Sequence, residues 1–123
     1  LALKGDRDPY DLENVGNDLV NQPIFELFNA VNRKYVIIIV SGRDEVCRNK
    51  TQEWLELHGM YYDLIFMRPL GNKEPDDVVK ERLYREHIEP AYKVRCVFDD
   101  RDKVVKMWRR IGLTCLQVAE GDF

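Results

Sequence analysis

The sequence predicts an α/β fold in which a doubly wound, parallel sheet carries helices on both faces. Two observations predict it. Short apolar runs alternate with segments of helical periodicity, in the order strand, helix, strand, helix, strand, helix, strand. Residues 35–40 form a β-branched run without polar alternation, which is typical of a strand covered on both faces. With 123 residues, the chain is expected to form a single domain, residues 1–123.

Each helix and strand predicted in the first half of the chain follows from a local feature of the sequence. Residues 23–32 repeat apolar side chains at helical spacing and lead into the strand at 35–40. Residues 51–58 are the second helix, which ends at Gly59 because glycine readily adopts the left-handed conformation that closes a helix. Residues 64–67 are the second strand.

The second half of the chain follows the same alternation. Residues 76–88 open with two acids after a proline, a composition favoured at a helix N-terminus. Residues 94–98 are the third strand. Residues 103–111 are an amphipathic helix that stops at Gly112, and residues 113–118 are the fourth strand.

Composition narrows the classes of function. The balance of 19 Lys and Arg against 22 Asp and Glu gives a net charge of −3, which argues against gripping a long nucleic acid by bulk charge but allows a local basic pocket. The cysteines, Cys47, Cys96 and Cys115, are odd in number and widely spaced, which favours reduced thiols and a cytoplasmic location. No apolar stretch approaches the ~18 residues of a membrane span, so no membrane partner is expected.

Residues with suitable chemistry follow three predicted strands at their carboxyl ends. They are Ser41, Gly42 and Arg43 after the first strand, Arg68 after the second, and Asp99 and Asp100 after the third. Because the carboxyl ends of parallel strands meet at one edge, we expect these side chains to converge. A hydroxyl, a glycine turn and guanidinium groups suit a phosphate, and adjacent carboxylates suit Mg²⁺. The sequence therefore predicts a site for a phosphate and Mg²⁺.

Each motif also has a purely structural interpretation. A Ser-Gly pair after a strand is commonly a turn, and either aspartate could be the N-cap of the following helix, although capping explains one acid and not two. Lys80 could be only an ion-pair partner of Asp76, one helical turn earlier. Arg68 by itself is more often solvated than a ligand.

Several stretches together resemble a known family. They are RDPYDLENV near the start, SGR after an apolar strand, DDVVKE around Lys80, FDDR after another strand, and VVKMWRRIGLTCLQVAEGDF at the end. With their spacing, they resemble the 3′-phosphatase domain of phage-type polynucleotide kinase, a member of the haloacid dehalogenase superfamily. The resemblance extends over essentially the whole chain and implies a haloacid dehalogenase-like fold.

The resemblance implies a substrate role for five residues. Ser41 would bind the phosphoryl group, with Gly42 and Arg43 beside it in the substrate pocket. Arg7 and Arg68 match arginines that line the family's pocket for a nucleic-acid end.

The resemblance also implies which residues offset the negative charge of the phosphate and the nucleophile, and which residues bind Mg²⁺. Lys80 would neutralise the nucleophile and the transferred phosphate. Asp99 and Asp100 would hold Mg²⁺, one as a direct ligand and the other through water, and the sequence leaves open which is which.

One family motif, DxDGT, does not occur in the chain. Its first aspartate attacks phosphorus, and its second protonates the leaving oxygen and then activates water. The motif and its strand are expected to lie upstream of residue 1, which agrees with the lack of a clear strand in residues 1–20. The chain is therefore expected to be a piece of a longer phosphatase, inactive by itself. No GxxxxGK[ST] loop occurs either, so a 5′-kinase would occupy a separate N-terminal domain.

The expected function is a Mg²⁺-dependent 3′-phosphatase that acts on DNA or RNA ends during repair. One alternative is a nucleotide or small-molecule phosphatase on the same scaffold. Another is a non-catalytic module that captures phosphorylated ends for a neighbouring enzyme. A sheet that lacks its central strand has an exposed edge, so the sequence also allows an oligomer.

Overall fold

The structure, a computed structural model, describes residues 2–3 and 19–123. The chain divides into two compact units, Leu1–Asn72 and Lys73–Phe123. The elements of the first unit are strands β1 (Ala2–Leu3) and β2 (Leu19–Val20), helix α1 (Gln22–Val31), strand β3 (Ile38–Asp44), helix α2 (Arg48–Leu57) and strand β4 (Leu64–Arg68). The short antiparallel pair of β1 and β2 was not predicted from the sequence.

Strands β3 and β4 are parallel, as predicted, but β3 ends later than expected. The pairing runs from Ile38 opposite Leu64 to Ser41 opposite Met67, and it then shifts so that Asp44 lies opposite Arg68. Gly42 and Arg43 therefore form a bulge inside the strand, so the prediction of a turn after residue 40 is wrong. The strand continues because β4 offers a parallel partner as far as Arg68, a tertiary interaction that local composition does not report.

The apolar core of the first unit lies between its helices and strands. Phe25 of α1 is fully buried and meets Trp54 of α2 edge to face, with 5.6 Å between the ring centroids. Leu55 and Met67 belong to the same buried cluster. All seven residues of β3 are partly buried and none is exposed, so both faces of the strand are covered, but less completely than the sequence predicted. An apolar run in the sequence indicates that a strand tends to be buried. It does not indicate how many other residues pack against that strand.

The second unit contains the remaining elements. They are helix α3 (Asp76–Leu83) with a wider helical turn after it (Tyr84–Ile88), strand β5 (Val97–Asp99), helix α4 (Asp102–Arg110) and strand β6 (Cys115–Gln117). Strands β5 and β6 are parallel, with Val97 opposite Cys115 and Asp99 opposite Gln117. Asp99 is therefore the last residue of its strand, and Asp100 begins the loop that leads to α4.

Helix α4 supplies the core of the second unit. Its buried side chains are Val104, Val105, Met107 and Trp108. Tyr84, in the wider turn after α3, meets Trp108 edge to face with 5.8 Å between the ring centroids. Gly112 has a φ of +93° after the helix ends, which confirms the predicted glycine stop. Among the described residues, each helix is too short or too polar to cross a bilayer.

Candidate functional site

The bulge in β3 holds the predicted phosphate-binding residues of the first unit. The backbone N–H of Arg43 donates to the hydroxyl Oγ of Ser41 across 3.1 Å, which fixes that oxygen over the bulged backbone. The three residues Ser41, Gly42 and Arg43 are half-buried, so they stand at the surface of the unit. A Ser hydroxyl that accepts one hydrogen bond still has its own proton to donate to an anion.

Arg68 supports this bulge from inside the unit. Its side chain is buried, with a relative exposure of 6%, so the interpretation as a solvated residue is wrong. Its Nε donates to the carbonyl oxygen of Gly42 across 2.7 Å, and its Nη1 donates to Asn72. The guanidinium group thus holds in place the peptide that joins Gly42 to Arg43.

Asp44, which the sequence interpretation missed, closes the end of β3. Its Oδ1 accepts a hydrogen bond from the N–H of Val46 across 2.8 Å, and its Oδ2 accepts from the N–H of Gly71 across 2.8 Å. The carboxylate therefore joins the end of β3 to the loop after β4. A capping rule applied at this position could have found the first bond, because aspartate is a preferred N-cap.

In the second unit, Lys80 of α3 lies between two carboxylates. Its Nζ is 3.1 Å from Oδ2 of Asp99 and 3.7 Å from Oδ2 of Asp76. The side chains of all three residues are between 10% and 13% exposed. The helical ion pair with Asp76 is present, as its structural interpretation requires, and the contact with the strand-end Asp99 is present as well.

Asp99 and Lys80 are both held in their charged forms. Burial favours the neutral acid, but Lys80 and the hydrogen bond from Trp108 outweigh it and lower the pKa of Asp99. Burial likewise opposes the charge of Lys80, yet Asp99 and Asp76 outweigh it and raise the pKa of the ammonium group. The pair is an ion pair in a largely desolvated place.

Trp108 is a second residue whose role the sequence interpretation missed. It lies within the predicted amphipathic helix 103–111 and is buried, but its Nε1–H also donates to Oδ2 of Asp99 across 3.2 Å. The signal was available, because a buried indole N–H needs an acceptor. Oδ1 of Asp99 accepts from the N–H of Asp100 across 2.9 Å, so both of its oxygens have donors.

Asp100 has a different electrostatic environment from Asp99. Burial and the adjacent charge of Asp99 raise the pKa of Asp100, so its ionised form is costly without a cation. Neither aspartate is the N-cap of α4. That position belongs to Arg101, and the helix begins at Asp102, so the capping interpretation is wrong.

Two adjacent carboxylates fit a hard cation such as Mg²⁺ by chemistry. A divalent ion would offset the repulsion between the carboxylates of Asp99 and Asp100. Asp99 already accepts hydrogen bonds on both of its carboxylate oxygens. Within residues 2–3 and 19–123, no group of three or more His, Cys, Asp or Glu side chains is arranged to hold a metal ion. Any further ligands would come from water, from a substrate or from residues outside these ranges.

The predicted site residues thus form one group in each unit. Ser41, Gly42 and Arg43 lie together over Arg68 in the first unit. Lys80, Asp99 and Asp100 lie together in the second unit. Arg7 lies outside the described residues. The convergence of all three strand ends at one edge stays a prediction.

Within residues 2–3 and 19–123, the parallel strand pairs and four α-helices fit a haloacid dehalogenase-like fold. Residues 1–123 match the family described as "Polynucleotide kinase PNKP phosphatase domain". The chain belongs to this family, which confirms both the resemblance and the fold class predicted from the sequence.

Similar proteins agree with this assignment. Over 120 residues, the chain is 32% identical to a protein of Autographa californica nuclear polyhedrosis virus named for a bifunctional polynucleotide kinase/RNA ligase activity, and the match covers 92% of this chain and 17% of that protein. Two solved structures match all of this chain at 37% identity and a TM-score of 0.95. One is titled as the Pnkp1/Rnl/Hen1 complex and the other as the Pnkp1/Rnl/Hen1 RNA repair complex, and the match covers 44% and 40% of their respective chains. The chain therefore spans less than half of each of these relatives.

Proposed function

We propose that the chain is the main part of a Mg²⁺-dependent 3′-phosphatase domain that removes the terminal phosphate of an RNA or DNA strand during repair. The observation that carries the proposal is the buried Lys80 ammonium group, 3.1 Å from the strand-end carboxylate of Asp99. The ion pair is more than a helix-surface contact, because its partner lies on a different element next to a second carboxylate. Membership of the polynucleotide kinase phosphatase family supports the class of substrate.

The proposed roles follow from the chemistry of each side chain. The hydroxyl of Ser41, the bulged backbone at Gly42 and the guanidinium group of Arg43 bind the phosphoryl oxygens. Arg68 contributes by holding the carbonyl of Gly42. Arg7 lines the pocket for the nucleic-acid end.

In this proposal, residues of the second unit offset the negative charge of the attacking carboxylate and the phosphoryl group. Lys80, fixed by Asp99 and Asp76, supplies a positive charge for the attacking carboxylate and the transferred phosphoryl group. Asp100 is the direct ligand of Mg²⁺ in this proposal, and Asp99 acts through water, because both oxygens of Asp99 already accept hydrogen bonds. A bound Mg²⁺ adds positive charge that offsets the repulsion between two anions.

The attacking aspartate belongs to a DxDGT segment that is absent from the 123 residues. We propose that the longer protein supplies it upstream, along with the central strand. The residues present can bind a phosphate, but they cannot form a phosphoaspartate. We therefore expect purified residues 1–123 to release no phosphate from a 3′-phosphorylated RNA oligonucleotide in Mg²⁺, as measured by a malachite-green assay. Release that survives repurification and disappears with EDTA would contradict this assignment.

The substrate class is tested in a longer protein that carries the DxDGT segment together with residues 1–123. We expect kcat/KM to be at least ~100-fold higher for a 3′-phosphorylated oligonucleotide than for a free nucleoside 3′-monophosphate, because flanking nucleotides contribute binding energy that is used in the transition state. Equal rates would favour a nucleotide phosphatase. Binding of the oligonucleotide without any turnover would favour a module that only captures ends.

The wider setting of the activity belongs to the same proposal. A 5′-kinase domain in the longer protein would allow both ends of a break to be healed, in keeping with the names and titles of the relatives. In the part of the chain that the structure describes, the thiols of Cys47, Cys96 and Cys115 are not joined in disulfides, which suits a reducing compartment such as the cytoplasm.

A further inference from the structure

We propose that Gln117 is a positioning residue for the magnesium loop, defined here as residues 99–102. The inference rests on the proposed function, in which Asp100 is the direct ligand of Mg²⁺. Gln117 is the last residue of β6 and lies opposite Asp99 in the parallel ladder. It lies in the C-terminal stretch that contributes to the family resemblance, but the resemblance assigned it no role.

Two hydrogen bonds from one amide group reach the magnesium loop. Nε2 of Gln117 donates to the carbonyl oxygen of Asp100 across 2.9 Å and to Oδ1 of Asp102 across 2.6 Å. The first bond fixes the peptide that follows Asp100, and the second ties that peptide to the first residue of α4. Together they restrict the backbone on which the Asp100 carboxylate is carried.

The chain after Gln117 adds further contacts to the same loop. The N–H of Val118 donates to the carbonyl of Asp99 across 3.1 Å, and the N–H of Asp102 donates to the carbonyl of Gly121 across 2.9 Å. Nε of Arg101 donates to the carbonyl of Phe123 across 2.6 Å. Residues 117–123 therefore support the loop from Asp99 to Asp102, and we call them the supporting segment. Gln117 is a side chain of this segment whose bonds a single substitution can remove.

Fixing the loop matters because Asp100 lies on its backbone, between the last residue of β5 and the start of α4. Without the two bonds from Gln117, the peptide after Asp100 is less restrained, so its carboxylate is presented to a cation in a less fixed direction. Groups that hold metal ligands in place typically contribute to affinity as well as to activity. Gln117 itself is exposed, so its substitution removes little core packing.

The test measures metal binding, using Mn²⁺ as a paramagnetic probe in the longer protein with the DxDGT segment. We expect Gln117→Ala to raise the Kd for Mn²⁺ roughly tenfold, as is typical for groups that orient metal ligands. The Tm of the metal-free protein should stay unchanged, and saturating Mg²⁺ should restore kcat. Gln117→Glu should be worse, because it removes the donor and places a carboxylate beside Asp102.

The control is Leu116→Ala, which changes the neighbouring exposed residue of β6 and should leave the Kd for Mn²⁺ unaltered. An unchanged Kd in both Gln117 variants, or an equal rise in Leu116→Ala, would overturn the positioning role while leaving the proposed function intact. Asp100→Asn distinguishes a failure of the positioning role of Gln117 from a failure of the metal site itself. If it binds Mn²⁺ as tightly as the unmodified protein does, the metal assignment itself is wrong.

Discussion

Replacing Lys80 with alanine is expected to reduce phosphate release by at least ~100-fold, since the transferring group loses a fixed positive charge in a poorly solvated place. The change is made in the longer protein with the DxDGT segment, and kcat/KM is measured with a 3′-phosphorylated RNA oligonucleotide. The loss should appear mainly in kcat, because the residues proposed to bind the ground-state phosphate, Ser41 and Arg43, are unchanged.

The same substitution is expected to destabilise the fold. Without Lys80, Asp99 loses its lysine partner and Asp76 keeps its ion pair with Arg101 across 3.8 Å, and both carboxylates are about nine-tenths buried. Removing one partner of a buried ion pair typically costs about 3–5 kcal/mol in the free energy of unfolding. Urea unfolding followed by circular dichroism measures this loss.

Two further variants separate catalysis from stability. Lys106→Ala removes an exposed lysine of α4 and should change neither quantity. The double variant Lys80→Ala, Asp76→Asn should recover part of the stability, because one of the two carboxylates beside the lost ammonium group becomes neutral, without recovering turnover. If turnover returns along with stability, Lys80 has a structural role only and its catalytic assignment is wrong.

The contrast between the two contacts of Lys80 shows what the sequence could predict. The contact with Asp76 follows from a four-residue spacing on one helix, so it was visible in the sequence. Asp99 is 19 residues away and meets Lys80 only when α3 lies beside β5, as the structure shows. The sequence indicated which charged residues to place at the site. The tertiary fold decides which of them pair.

The missed features have a common physical cause. Helical periodicity counts Trp108 as apolar, and so it conceals the N–H that donates to Asp99. The extension of β3 to Asp44 depends on pairing with β4, and the bonds of Gln117 depend on β6 lying beside β5. Such contacts join segments that are distant in the chain, whereas the glycine stops at Gly59 and Gly112 are local and were predicted correctly.

Replacing Gly121 with alanine is expected to disrupt the supporting segment. A Cβ atom built on Gly121 would lie 1.7 Å from the carbonyl oxygen of Asp100 and 2.6 Å from Cα of Arg101. Both are backbone atoms of the magnesium loop, so no side-chain rotation can make room. We expect the free energy of unfolding to fall by about 3 kcal/mol, the upper part of the range for overpacking, as measured by urea unfolding. The Kd for Mn²⁺ should also rise, because Asp100 is displaced.

Gly71 provides a matched control, because a side chain there is opposed by the backbone conformation and not by a steric clash. Its φ is +75° and a Cβ there would meet nothing within 4 Å, so only backbone strain opposes a side chain. Gly71→Ala should cost about 1–2 kcal/mol, and Gly71→Asn less, since asparagine tolerates the left-handed conformation. At Gly121 the order should reverse, with asparagine worse than alanine because it is larger. Equal tolerance of alanine and asparagine at Gly121 would show that the supporting segment does not approach Asp100 this closely. The positioning of Asp100 would then rest on the hydrogen bonds between the supporting segment and the magnesium loop, and not on their close packing.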